Sequence, residues 1–109
     1  MTKLLIKKGR YINPKSNTDE ELDVLIEDGK IVDLKKEINL NGSTEIIDAK
    51  GSWVVPGLID IHCHLRDPGQ PEKETIETGT KSAAAGGFTS ICPMANTKPA
   101  IDSAALVEY

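Results

Sequence analysis

The sequence predicts an α/β chain in two parts: a small β-rich, sandwich-like segment over residues 1–55, then a β-α-β unit within residues 56–109. Three observations predict it. Asp28-Gly29 stands between two β-branched runs, one of the strongest short-range hairpin signals, because both turn residues tolerate φ > 0. At Pro56-Gly57 the pattern changes from short strands split by polar turns to a nearly continuous apolar run, Leu58 to His62. Such a run suits a strand covered on both sides in a parallel sheet. A loop, a helical stretch and a second strand follow within roughly 35 residues, the span of one β-α-β unit.

Composition narrows the function classes. A chain of 109 residues is long enough for one small domain with a modest core. A net charge of −4 argues against nucleic acid or an anionic membrane surface as the main partner. Leu4-Leu5-Ile6 falls far short of the roughly 7–15 apolar residues of a signal-peptide core, and nothing approaches the ~20 of a membrane span. Two cysteines, each inside an apolar segment, form no disulfide framework, so the expectation is a reduced, cytoplasmic protein.

In order, Lys3 to Ile12 reads as a strand, apolar at Leu4, Ile6 and Ile12 and interrupted by Gly9. Asn13-Pro14 through Glu21 reads as a polar turn or loop, with Pro14 ending any pairing. Leu22 to Glu27 and Lys30 to Leu34 are the hairpin strands. Lys35 to Ser43 is a polar connection, and Thr44 to Asp48 is a further short strand closed by Gly51. These strands are too few to bury both faces of a sheet, so the segment is expected to need a partner surface.

After the strand at Leu58, Asp67-Pro68-Gly69-Gln70-Pro71 is a loop. The pattern turns helical from Glu72, with Glu72, Glu74 and Glu77 in the half that the helix dipole favours for acids. Glu77 and Lys81 stand at i,i+4 in the favourable order, and Ile76, Thr80, Ala83 and Ala84 line a small-residue face. Gly86-Gly87 stops the helix. Phe88 to Cys92 is the second strand, ended by Pro93 and followed by a loop over Met94 to Ile101. Asp102 or Ser103 caps a helix from Ala104 that reaches Tyr109 after less than two turns, so the chain is expected to be a fragment.

The residues with chemistry gather at the end of the first parallel-type strand. His62 and His64, both histidines of the chain, are two residues apart, so on a regular strand they share a face with Asp60. Their Cα atoms would lie roughly 6–7 Å apart, close enough for two imidazoles to converge on one metal ion. Either they do so, or they are half-buried polar residues at a strand end. The C-terminal end of such a strand is where α/β barrels place active sites. Asp60 either orients an imidazole from behind or is satisfied by backbone. Arg66 offers a planar fork suited to a carboxylate, or is solvated or ion-paired. Asn96 either bonds a carboxylate or carbonyl or shapes its turn. Cys63 and Cys92 read as apolar fillers, and Met94 carries no special signal.

The run Gly57 to Gly69, with Gly86-Gly87-Phe88-Thr89 and Pro93-Met94-Ala95-Asn96-Thr97-Lys98-Pro99, resembles the N-terminal quarter of a dihydroorotase, a cyclic amidohydrolase of pyrimidine synthesis. The resemblance covers the whole chain, since the β-rich segment is similar to the small domain flanking the barrel in that family. Asp-x-His-x-His belongs to many amidohydrolases. Leu65-Arg66-Asp67-Pro68-Gly69 and the Asn96 loop favour dihydroorotase over hydantoinase or dihydropyrimidinase, because an arginine beside the ligands suits a substrate with an α-carboxylate.

The resemblance implies a metal-dependent (β/α)8 TIM barrel, incomplete here, with a binuclear zinc site. His62 and His64 would bind one zinc, Asp60 would lie behind the ligands, and His64, Arg66 and Asn96 would meet the substrate, dihydroorotate or N-carbamoyl-L-aspartate. A hydroxide bridging the two ions would attack the ring amide, and a bridging carboxylate or carboxylated lysine, further histidines and an acid–base aspartate are expected beyond Tyr109. A barrel takes about 250 residues, so this chain holds two of its eight strands at most and is expected to be inactive alone. The partners implied are the small-molecule substrate and either a homo-oligomer or the remainder of the same protein, with docking of another pyrimidine-pathway enzyme left open. The alternatives are a hydantoinase, allantoinase or dihydropyrimidinase, or a non-catalytic dihydroorotase-like scaffold; such scaffolds often lack the histidine pair that this chain retains.

Overall fold

Asp28 and Gly29, with φ of 48° and 77°, turn the chain sharply between β2 (Thr18–Glu27) and β3 (Lys30–Lys35), as the Asp-Gly signal predicts. The computed structural model describes residues 2–40 and 42–108. Two compact units divide at Pro56/Gly57. Among the described residues no helix is long and apolar enough to cross a membrane.

The first unit is one five-stranded mixed sheet, not two packed sheets, which corrects the sandwich-like expectation. Its order is β3-β2-β1-β4, with β1 spanning Lys3–Asn13 and β4 spanning Glu45–Asp48. A two-residue strand that the sequence reading missed, β5 (Trp53–Val54), continues the β4 edge and also runs parallel to β1. The supposed polar loop 13–21 is shorter than expected. Thr18 to Glu21 are already paired with β1, and Arg10 grips Asp19 through two 2.7 Å hydrogen bonds across the ladder. These residues are polar because that end of the hairpin is exposed, so polarity there reports solvent and not a break in the strand.

Burial along β1 falls on Leu5, Gly9 and Tyr11, while Leu4, Ile6 and Ile12 are half-buried. The register slips between Ile6 and Gly9, where Lys8 takes φ of 59°. Leu5 and Leu25 form a core with Ile38 and Leu40, from the polar connection after β3, folded against them. Asn41 of that connection lies outside the described residues. Ile46, Ile47 and Trp53 are exposed.

The second unit is β6 (Leu58–Cys63), α1 (Ile76–Ala85), β7 (Phe88–Pro93) and a short α2 (Ala104–Val107). β6 and β7 pair in parallel, so the predicted strand–helix–strand order holds. The helix begins four residues later than the acidic pattern suggests. Thr75 caps it, its hydroxyl accepting the Thr78 N–H while the Thr78 hydroxyl accepts the Thr75 N–H, each at 3.0 Å. This reciprocal pairing fixes the boundary more firmly than a gradient of acidic residues can. Gly79 and Ala83 face the cleft between α1 and the strands; a side chain at 79 would collide with Leu65, which is buried. Gly86 ends the helix and Gly87, at φ +83°, carries the left-handed turn. Ser103, not Asp102, stands at the start of α2, and Tyr109 lies outside the described residues.

Leu58, Ile59 and Ile61 differ from the expectation of a strand covered on both sides: they are 48%, 64% and 75% exposed. Within the second unit, helix α1 packs on β7 and borders a cleft with β6.

Candidate active site

His62 is next to last in β6, inside the irregular stretch between Asp60 and Cys63, and His64 lies just past the strand end, at the start of the outgoing loop. Their ring centroids are 5.4 Å apart with planes inclined by 63°. A zinc-bound imidazole has its nitrogen about 2.0–2.1 Å from the ion and hence its centroid about 3.2 Å away; a tetrahedral angle between two such rings gives about 5.2 Å. The observed pair fits that geometry, and neutral imidazole is a donor that zinc takes. Among the described residues no third histidine, cysteine, aspartate or glutamate joins the pair in a ligand cluster.

Asp60 does not reach an imidazole. Its carboxylate accepts the His62 N–H at 2.9 Å, the backbone alternative. The ladder slips between Asp60 and Cys63, where β6 carries one residue more than β7. Strict alternation, which would put Asp60 and Cys63 on opposite faces, therefore fails there: both border the same cleft beneath α1. Partial burial pushes the Cys63 thiol pKa up, with the Asp60 charge and Cys92 adding to the shift. That accords with its reading as a filler. Cys92, by contrast, is exposed.

Asn96 is brought to the histidines. Its side-chain oxygen lies 3.0 Å from His64 Nδ1. Sequence reasoning named both residues without foreseeing their contact, for which only the parallel pairing of β6 with β7 gives a cue. The loop after β7 is stitched to the loop after β6: the Met94 N–H donates to the Cys63 carbonyl at 2.9 Å and the Lys98 N–H to the Pro68 carbonyl at 3.1 Å. Gly69, at φ +105°, packs so tightly on Lys98 that a Cβ there would meet the Lys98 carbonyl. Sequence reasoning treated Gly69 as loop punctuation and missed this role. Arg66 is half-buried at the start of the same loop, with its carbonyl accepting the Gln70 N–H at 2.8 Å. Its guanidinium makes no ion pair or hydrogen bond among the described residues, which leaves it available to an anionic ligand.

Residues 51–109 match the family described as Dihydro-orotase-like. The chain is 54% identical over 106 residues to the dihydroorotase of Trichlorobacter lovleyi, covering 97% of this chain and 25% of that one. It is 57% identical over 100 residues to that of Lactococcus lactis, covering 92% and 23%. With the Aquifex aeolicus dihydroorotase it shares 54% identity over 109 residues, covering 100% and 26%. The chain thus spans about a quarter of the length of the curated relatives it matches. Among solved structures it is similar to the L-hydantoinase (dihydropyrimidinase) of Arthrobacter aurescens, with TM-score 0.83 and 30% identity over 97% of this chain and 23% of that one. The dihydropyrimidinase of Brevibacillus agri gives TM-score 0.74 and 34% identity over 86% and 20%. The histidine pair, the asparagine bonded to His64 and the arginine on the adjoining loop stand inside the matched region, and the chain belongs to the dihydro-orotase-like family.

Proposed function

We propose that the protein containing this chain is a dihydroorotase, which interconverts dihydroorotate and N-carbamoyl-L-aspartate in de novo pyrimidine biosynthesis with a binuclear zinc site. The observation that carries the reading is the joining of His64 to Asn96 beside Arg66: a metal-type imidazole, an amide and a guanidinium at one sheet end. Identity above one half to curated dihydroorotases supports it. In this reading residues 1–55 belong to a small flanking domain, and residues 56–109 supply the first two strands of a (β/α)8 barrel.

His62 and His64 would hold one zinc of the pair, with Asp60 fixing the backbone of the ligand strand at the His62 N–H. When bound, the metal supplies Lewis acidity and a water of lowered pKa. Arg66 offers two parallel N–H donors to the substrate α-carboxylate. Asn96, whose oxygen is engaged by His64, has its amide N–H groups left to donate to the same carboxylate. That carboxylate persists in both the ring and the open form, so the two residues anchor the substrate through opening and closure. In this reading the proton carried between ring nitrogen and water needs an acid–base group besides the residues named here. The compartment is the cytoplasm, in keeping with two unpaired cysteines.

A sister reading, hydrolysis of an uncharged cyclic amide, is favoured by the hydantoinase and dihydropyrimidinase structures at 30–38% identity. Assay of the zinc-replete full-length protein on dihydroorotate, hydantoin and dihydrouracil separates the two. The dihydroorotase reading expects turnover of dihydroorotate and a rise in its KM of about 10–100-fold in Arg66→Ala, the size of a lost charged hydrogen bond. Turnover of hydantoin or dihydrouracil alone, unchanged by Arg66→Ala, overturns it.

A further inference from the structure

We infer that Asn96 is a positioning residue for the metal ligand His64, in addition to contacting substrate. This inference rests on the zinc reading above. The amide oxygen of Asn96 lies 3.0 Å from His64 Nδ1. An amide oxygen has no hydrogen to give, so the bond requires the imidazole proton on Nδ1. The lone pair is then on Nε2, the nitrogen left to face an ion. The same bond limits rotation of the ring, as hydrogen-bonded partners of ligating histidines do elsewhere.

His62 has a different support. Its backbone N–H is held by Asp60, and β6 pairing continues to Cys63. His64 lies beyond the last paired residue, where strand geometry no longer fixes the side chain, so its bond to Asn96 takes over that duty. Asn96 is itself held by main-chain bonds on both sides: Met94 N–H to the Cys63 carbonyl, and Lys98 N–H to the Pro68 carbonyl. The amide therefore has two ends with two tasks. Its oxygen orients a ligand of the metal, and its nitrogen remains free to donate to the substrate. Carboxylate recognition and metal retention meet in one side chain.

The two tasks can be separated by substitution. Asn96→Ala removes both ends. Asn96→Asp keeps an acceptor for His64 Nδ1 while placing a negative charge against the substrate carboxylate. The test measures zinc release to a chromogenic chelator, together with KM for dihydroorotate, in the full-length protein and both variants. The expected result is zinc affinity weakened about 10–100-fold in Asn96→Ala and close to native in Asn96→Asp, with KM raised in both. Native zinc retention by Asn96→Ala overturns the inference while leaving the zinc reading intact. Loss of zinc in Asn96→Asp equal to that in Asn96→Ala also overturns it, since the acceptor would then be irrelevant. A native protein that retains no zinc overturns the zinc reading and the inference with it.

Discussion

The carboxylate of Asp23 accepts the backbone N–H of Lys8 at 2.9 Å, in the part of β1 where the ladder slips by a residue. Its second oxygen accepts the Ile38 N–H, also at 2.9 Å, and the Lys7 ammonium stands 3.8 Å away. Asp23 is only 1% exposed, so one buried side chain pins both the irregular strand and the segment that covers the core. Asp23→Ala strands two backbone donors away from water, at about 1–3 kcal/mol each. Urea unfolding of the full-length protein, followed at the fluorescence of Trp53, is expected to show the first unit melting earlier. Asp23→Asn, which retains one acceptor, should fall between that variant and the native protein.

Gly69→Ala tests the stitching of the two site loops. The position combines φ of +105° with contact against the Lys98 carbonyl, so an added methyl is unfavourable on both counts. The strain amounts to about 1–3 kcal/mol and is relieved by parting the loops. The expected outcome is faster zinc release and a higher KM for dihydroorotate than in the native protein, with secondary structure retained by circular dichroism. Unchanged KM would show that the loops do not set the position of Asn96.

Thr75→Ala removes one half of the reciprocal cap on α1. Loss of such a cap costs about 0.5–2 kcal/mol of helix stability. Amide exchange in residues 76–79 should quicken, while Thr75→Ser, which preserves the hydroxyl, should leave it near native.

Arg10 and Asp19 make a pH-dependent pair. Asp19 is held below the ordinary carboxylate range chiefly by its hydrogen bond to Arg10, which outweighs an opposing desolvation, with the arginine charge adding a lesser lowering. A depressed carboxylate pKa adds stability above the unfolded-state value, and that increment disappears as pH falls through the lowered folded-state value. The difference in unfolding midpoint between the native protein and Asp19→Asn should therefore be present at neutral pH and vanish in strong acid. It should also shrink with added salt, because both side chains are about half exposed.

Removing either histidine checks the metal corner directly. His62→Ala and His64→Ala should each lower zinc content of the full-length protein measured by atomic emission, because each takes away one donor from the ion. Full zinc content in both variants would place the metal elsewhere.

Much of this arrangement is legible in the sequence where one local rule decides. Asp28-Gly29 announces its hairpin because few residue pairs accept that turn, and Gly86-Gly87 announces the end of α1. His62, His64 and Asn96 are readable as candidates from residue type and place. The misses share a cause: each depends on a partner distant in the chain. β5 is two residues long and exists because β1 offers it an edge. Thr18 to Glu21 are strand by pairing and not by pattern. Asp23 reads as a polar interruption in an apolar strand until Lys8 and Ile38 arrive to satisfy it. The extra residue between Asp60 and Cys63 breaks the alternation on which the face assignment depends. The helix start was hidden because Thr78 does the work that Glu more often does in a capping box.

The stitching of the loops after β6 and β7 runs through main-chain atoms: Met94 to Cys63, and Lys98 to Pro68. Bonds of that kind do not read side chains, so the frame survives changes of residue type at most positions along both loops. Changes at Arg66 or among the neighbours of Asn96 can then alter what the loops present without disturbing the main-chain frame that holds them together.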